Sequence, residues 1–111
     1  MDLELSDVQI GAWHVLEVHG ELDLHTSTSL RDRISELTDD EPAFVALDLA
    51  AVPFMDSSSL GVIVTALKRL RERGGELALI GVSGSPAKVL SITGMDQVIP
   101  MVERRDDLPE R

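Results

Sequence analysis

The sequence predicts a single α/β domain in which at least some strands pair in parallel. Three observations carry that reading. Strand-like and helix-like segments alternate along the chain. The run Ala43-Phe44-Val45-Ala46-Leu47 is continuously apolar rather than alternating, as in a strand covered on both faces. A chain of 111 residues, 43% of them hydrophobic, is long enough to bury one modest core.

Taken in order, a short strand is expected around residues 3–10. Residues 13–19, Trp13-His14-Val15-Leu16-Glu17-Val18-His19, are rich in β-formers and mostly alternate apolar with polar. Gly20 interrupts this strand as a bulge or bend. The first helix is expected over residues 26–37, with Thr26, Ser27 or Thr28 as its cap and Leu30, Ile34 and Leu37 on one face. Asp39-Asp40-Glu41-Pro42 closes it as a loop. Residues 43–49 form the buried strand. Over residues 57–73, Leu60, Ile63, Val64, Leu67 and Leu70 recur at helical spacing, and Gly74-Gly75 stops that helix. Leu77-Ala78-Leu79-Ile80 reads as a second buried strand. Ser85-Pro86 reads as a cap followed by a first-turn proline, and Gly94 ends a short helix. Residues 98–102 read as a last, edge strand, a place that suits Pro100. Met95 and Met101 read as core filler. The tail from Glu103 is highly charged and is expected to be frayed or weakly helical. No internal repeat or low-complexity segment interrupts this order.

Composition excludes several classes. Twenty acidic residues against ten basic ones give a formal charge of −10, a field that repels phosphate backbones and argues against direct nucleic-acid binding. Lys68, Arg69, Arg71 and Arg73 cluster at a helix end, where cations suit the dipole, and read as a solvated face. The absence of cysteine removes disulfides, thiol catalysis and thiolate metal sites, and fits a cytoplasmic setting. No apolar run approaches the length of a bilayer span, and the acidic start Met1-Asp2-Leu3-Glu4 is unlike a signal segment, so no membrane partner is expected.

Catalytic and metal constellations are weak. His14 and His19 have opposite parity along one strand and should not share a face, so no metal site with His25 is expected. His25, Asp23 and Ser58 supply the letters of a hydrolytic triad, but no Gly-x-Ser-x-Gly elbow accompanies them. Gly81-Val82-Ser83-Gly84-Ser85-Pro86 lacks the lysine of a P-loop and the third glycine of a dinucleotide fingerprint.

The chemistry concentrates in Phe54-Met55-Asp56-Ser57-Ser58-Ser59-Leu60-Gly61, where three hydroxyls follow a carboxylate between a strand and a helix. The residues alone leave two readings open. A serine there caps the helix, its oxygen accepting from a free first-turn N–H. A serine there also presents a hydroxyl that can take a phosphate and nearly two negative charges. Asp56 and Asp23, both at the ends of strand-like segments, divide in the same way between capping and positioning a reactive hydroxyl. Asp48, inside the buried run, reads as structural.

The runs Val45-Ala46-Leu47-Asp48-Leu49, Val52, Met55-Asp56-Ser57-Ser58 and Leu60-Gly61-Val62 resemble the signature of STAS domains, and within that family the bacterial anti-sigma-factor antagonists. Gly20-Glu21-Leu22-Asp23, Leu79-Ile80-Gly81-Val82, Val89-Leu90 and Thr93-Gly94 agree with it. The resemblance covers about residues 8–102 of a single domain over 1–111, leaving the charged tail 103–111. It implies a small mixed sheet with helices largely on one side and the Asp-Ser-Ser loop at the start of the second main helix. It implies a regulatory binding protein, not an enzyme. The unphosphorylated form would bind an anti-sigma factor that is also a serine kinase and so release a sigma factor. Phosphorylation would reverse the binding, and a phosphatase would reset it. Mg-ATP would belong to the kinase, and the antagonist itself would need no cofactor and be a monomer or weak dimer.

Carried over by position, the acceptor is Ser58, with Ser57 and Ser59 as lesser candidates and Ser57 as the cap or neighbour. The partner surface is expected to comprise Asp23, Asp56, Ser57, Ser58, Ser59 and Gly61, bordered by Leu24 and His25, with Gly61 permitting close approach. Ser59 stands where the pattern usually has glycine, and is expected either to crowd the partner or to compete as an acceptor. Two rival classes share these residues. One is a STAS scaffold subunit of a stress-signalling or lipid-transport complex. The other is a small enzyme or nucleotide-binding protein, which the missing phosphate-binding fingerprint disfavours.

Overall fold

The computed structural model describes residues 3–38 and 42–111. The chain runs β1 (Glu4–Ile10), β2 (Trp13–His19), α1 (Ser27–Leu37), β3 (Phe44–Ala51), α2 (Ser57–Glu72), β4 (Glu76–Ile80), α3 (Gly84–Thr93) and β5 (Met101–Val102), with 3₁₀ turns at Met95–Gln97 and Arg105–Asp107. The expected loop over Asp39, Asp40 and Glu41 lies outside the described residues.

The strands form one mixed sheet in the order β1-β2-β3-β4-β5. β1 and β2 are an antiparallel hairpin, and every later neighbour pairs in parallel. Parallel neighbours need a crossover, and α1, α2 and α3 supply the three. Gly20, at φ 122°, follows a register shift between Glu17 and His19, the irregularity expected there.

Alternation along the strands sorts side chains to the two faces of the sheet. Leu16, Val18, Val45, Leu47, Leu77 and Leu79 face the helices and pack with Leu30, Ile34, Ile63, Leu67 and Leu90. Trp13, Val15, Ala46, Ala78 and Ile80 make a smaller cluster on the opposite face. Both faces of β3 are thus dry, which is why its sequence does not alternate.

The opposite face is covered by the C-terminal tail, which of the two expected forms takes the helical one, a single 3₁₀ turn at Arg105–Asp107, and is docked rather than frayed. Leu108 packs on the smaller cluster, and the Trp13 indole N–H donates to the Pro109 carbonyl at 2.8 Å. Arg105 spans Asp48 at 3.0 Å and Glu17 at 3.1 Å, and the Arg111 guanidinium lies 5.3 Å from the Phe44 ring centroid. The charges that suggested fraying are the groups that dock it. Asp48, which also accepts from the Ala50 N–H, has the structural role expected of it.

The last strand is shorter than expected. A 3₁₀ turn at Met95–Gln97 takes up the chain, Ile99 is buried, and Pro100, which has no N–H, contributes only its carbonyl to Leu79. Met95 packs on the core, whereas Met101 is 38% exposed and is not core filler.

The end of α2 is fixed by a Schellman arrangement. The Gly75 N–H donates to the Leu70 carbonyl at 2.8 Å and the Gly74 N–H to Arg71 at 3.1 Å, with Gly74 at φ 81°. A Cβ at Gly75 would fall 2.0 Å from the Ala43 carbonyl oxygen, so only glycine fits. The basic cluster serves this same end, since Arg71 pairs with Glu76 at 2.8 Å and Arg73 donates to the Thr38 carbonyl at 2.8 Å.

Candidate functional site

Two loops meet at the end of the sheet where the parallel strands finish and the helices begin. Leu22, after β2, and Met55, after β3, form an isolated parallel bridge. The Leu22 N–H donates to Phe54 at 2.9 Å and the Asp56 N–H to Leu22 at 3.1 Å. Both Leu22 and Met55 are buried, and this apolar burial holds the link. Its consequence is that Asp23 and Asp56, far apart in sequence, begin their loops side by side.

Asp56 is the N-cap of α2, in extended conformation. Its Oδ1 accepts from the Ser59 N–H at 2.9 Å and from the Ser58 hydroxyl at 2.7 Å. Burial works against ionisation of Asp56, but the Ser58 hydroxyl and the Ser59 N–H outweigh it and hold the carboxyl below the ordinary value of 3.8. At neutral pH this is therefore a carboxylate gripping a half-buried hydroxyl at a helix N-terminus. Asp56 fills both roles the sequence left open, as cap and as the group that orients Ser58.

The three serines separate by helical rotation. Ser57, the first helical residue, is exposed and is not the cap, a correction to the sequence reading. Ser58 is half-buried at the rim. Ser59 is 0% exposed, on the same buried face as Leu60, Ile63 and Leu67. Its hydroxyl donates to the Asp23 backbone carbonyl at 3.3 Å. The expectation that Ser59 crowds a partner or competes as an acceptor is therefore corrected: it points inward, away from any partner surface.

Asp23 organises its own loop. Its Oδ1 accepts from the N–H groups of Thr26 and His25, each at 2.9 Å, while the Asp23 N–H donates to the Thr26 hydroxyl at 2.9 Å. The Thr26 N–H lowers the carboxyl most, burial opposes it, and the His25 N–H adds to the lowering. Thr26 makes no side-chain cap of α1, so the expected cap is replaced by this Asp23 turn. The hydrolytic letters do not assemble, because Asp23 bonds backbone and Thr26, and Ser58 bonds Asp56. Among the described residues no group of three His, Cys, Asp or Glu side chains stands close enough to hold a metal.

The two linked loops expose apolar side chains. Leu24 is 66% exposed and Phe54 is 43% exposed, one on each linked loop. Phe54 lies in the stretch from Pro53 to Ser59 on which the sequence centres the expected contact surface. Gly61, one turn further along α2, is exposed, and a Cβ there would meet nothing within 4 Å. The fold itself does not demand that glycine.

A model of the STAS domain family matches residues 5–108. The anti-sigma-B factor antagonist of Listeria monocytogenes is 37% identical over 82 residues, 74% of this chain and 72% of that protein. The anti-sigma F factor antagonist of Paenibacillus polymyxa is 32% identical over 90 residues, 80% of this chain and 77% of that one. The crystal structure of an anti-sigma factor antagonist from Mycobacterium paratuberculosis has the same fold, with a TM-score of 0.82 at 24% identity over 95% of this chain and 89% of that one.

Proposed function

The chain belongs to the STAS domain family, and from that premise we propose that it is an anti-sigma-factor antagonist, a regulatory binding protein rather than an enzyme. Unmodified, it docks an anti-sigma factor through the surface around Ser58 and so frees a sigma factor. The partner is also a serine kinase, which ends the complex by phosphorylating Ser58. A phosphatase removes the phosphate and resets the cycle, which takes place in the cytoplasm.

The observation that carries this reading is the 2.7 Å hydrogen bond from the Ser58 hydroxyl to the Asp56 carboxylate. Taking up the hydroxyl hydrogen, Asp56 turns the lone pairs of Ser58 Oγ outward to an incoming phosphoryl group. In the transfer a bond forms between that oxygen and the γ-phosphorus of the kinase's Mg-ATP. The bond to the bridging oxygen breaks, ADP leaves, and the hydroxyl proton passes by way of Asp56 to water. Nucleotide and magnesium arrive with the partner, and the domain needs no cofactor of its own.

The phosphate then sits at the N-terminus of α2, where dipole and free N–H groups favour it. The fold has no cause to open. Asp56 repels the new charge outward, onto the surface that an unmodified domain would bury against its partner. A dianion stranded in such an interface need weaken it by only about 3 kcal/mol to lower affinity roughly a hundredfold.

The test captures the partner ATPase by pull-down with Ser58→Ala, incubates wild type and the variant with it and Mg-ATP, and maps phosphate by mass spectrometry. The expected result is one phosphate, on Ser58, absent from the variant, with the variant bound constitutively. Phosphate on another residue, or none while Ser58→Ala binds no better than wild type, overturns the reading.

A further inference from the structure

Between α1 and α2 the surface opens into a groove of about 400 Å³ whose wall includes Ser58. Its apolar lining is Ile34, Val62 and Ala66. Among the described residues that line it, the charged ones are Arg31 and Arg69. Among the described residues, then, the lining carries two arginines and no carboxylate, in a chain whose formal charge is −10. Arg31 does have an acidic neighbour, Asp32 at 3.4 Å, but both side chains are more than half exposed and such a pair holds weakly. The volume lies within the range of roughly 300–1,000 Å³ that small molecules occupy, and is small for a folded partner segment.

We infer that this groove is a binding site for a small amphipathic anion, a single phosphate or carboxylate head on a short aliphatic body. The aliphatic part lies along Ile34, Val62 and Ala66, and the arginines take the head, as planar guanidinium groups suit both oxyanions. Because Ser58 belongs to the same wall, a charge placed there repels the occupant, so occupancy and modification oppose one another. This last link rests on Ser58 being the acceptor proposed above. The groove itself does not, and a failure to bind the anion would leave capture of the anti-sigma factor by Ser58→Ala untouched.

The experiment titrates the isolated chain with octyl phosphate, and separately with 1-octanol and inorganic phosphate, following amide shifts by two-dimensional NMR. Saturable shifts confined to Ser35, Val62, Thr65 and their neighbours are expected with octyl phosphate, with much weaker effects from either half alone. Arg31→Gln and Arg69→Gln, both at exposed positions that leave the fold intact, should each weaken binding roughly tenfold, the worth of a charged hydrogen bond. Ser58→Glu should weaken it and Ser58→Ala should not. Non-saturating or scattered shifts, equal binding of octanol, or arginine variants that bind like wild type overturn the site. Equal binding by Ser58→Glu overturns the link to modification.

Discussion

The hydroxyl of Ser59 reaches the backbone carbonyl of Asp23 at 3.3 Å, across 36 residues of sequence. This bond ties the first turn of α2 to the loop that opens α1. It gives the residue that stands in place of glycine an internal role. Ser59→Ala should lower the unfolding free energy by about 1 kcal/mol, since it removes one of the two hydrogen bonds to the Asp23 carbonyl, which keeps the Ser27 N–H at 2.9 Å, and should leave phosphate incorporation at Ser58 unchanged. Urea denaturation together with phosphate mapping checks both halves. Loss of incorporation with stability intact would show that Ser59 belongs to the reaction after all.

Asp56 predicts an acid-sensitive fold. Its folded carboxyl lies below the ordinary value of 3.8, so its stabilisation is fully present above that value and is lost as pH falls through the lower folded value. Asp23 shifts in the same direction and adds to the loss. Asp56→Asn retains an acceptor oxygen at the cap and should change neutral-pH stability little, because asparagine and aspartate cap comparably. Its stability should fall less steeply in acid than that of wild type, and its Ser58 should be phosphorylated more slowly. Thermal unfolding as a function of pH measures the first, and an acid limb identical to wild type would contradict it.

Gly61 separates stability from docking. A Cβ there meets nothing within 4 Å, and glycine inside a helix costs about 1 kcal/mol relative to alanine. Gly61→Ala should therefore raise the melting temperature while weakening capture of the anti-sigma factor, whose surface needs the space. A variant that is both more stable and equally well captured removes Gly61 from the interface.

The tail predicts a spectroscopic signature. Trp13, the chain's one tryptophan, is 3% exposed beneath it. Arg105→Ala breaks the contacts to Asp48 and Glu17 together and should loosen the tail. Emission from Trp13 should move to longer wavelength and stability should drop, with no change in phosphorylation, because the tail covers the face of the sheet opposite the helices. Unchanged emission would show that Leu108 and Pro109 hold the tail without the ion pairs.

Much of the scaffold was legible because its signals are local. The continuous run at Val45-Ala46-Leu47 marked a strand dry on both faces, and Leu60, Ile63, Leu67 and Leu70 marked the inward face of α2. The Asp56-Ser58 pairing was legible because residues two apart at a helix start meet through one turn of backbone. What escaped was long-range. The contact of Arg105 with Asp48 joins residues 57 apart, and a charged tail gives no local sign that its charges have partners. The inward turn of Ser59 depends on which side of α2 meets the sheet at its first turn. The exposure of Leu24 and Phe54 depends on two loops being bridged by Leu22 and Met55.

The most direct measurement compares the dissociation constant of the anti-sigma factor for the unmodified chain and for chain stoichiometrically phosphorylated on Ser58. Titration calorimetry under one buffer condition suffices. The account predicts a loss of roughly a hundredfold or more, with the amide spectrum of the free domain changed only near the N-terminus of α2. Equal affinity of the two forms would contradict it.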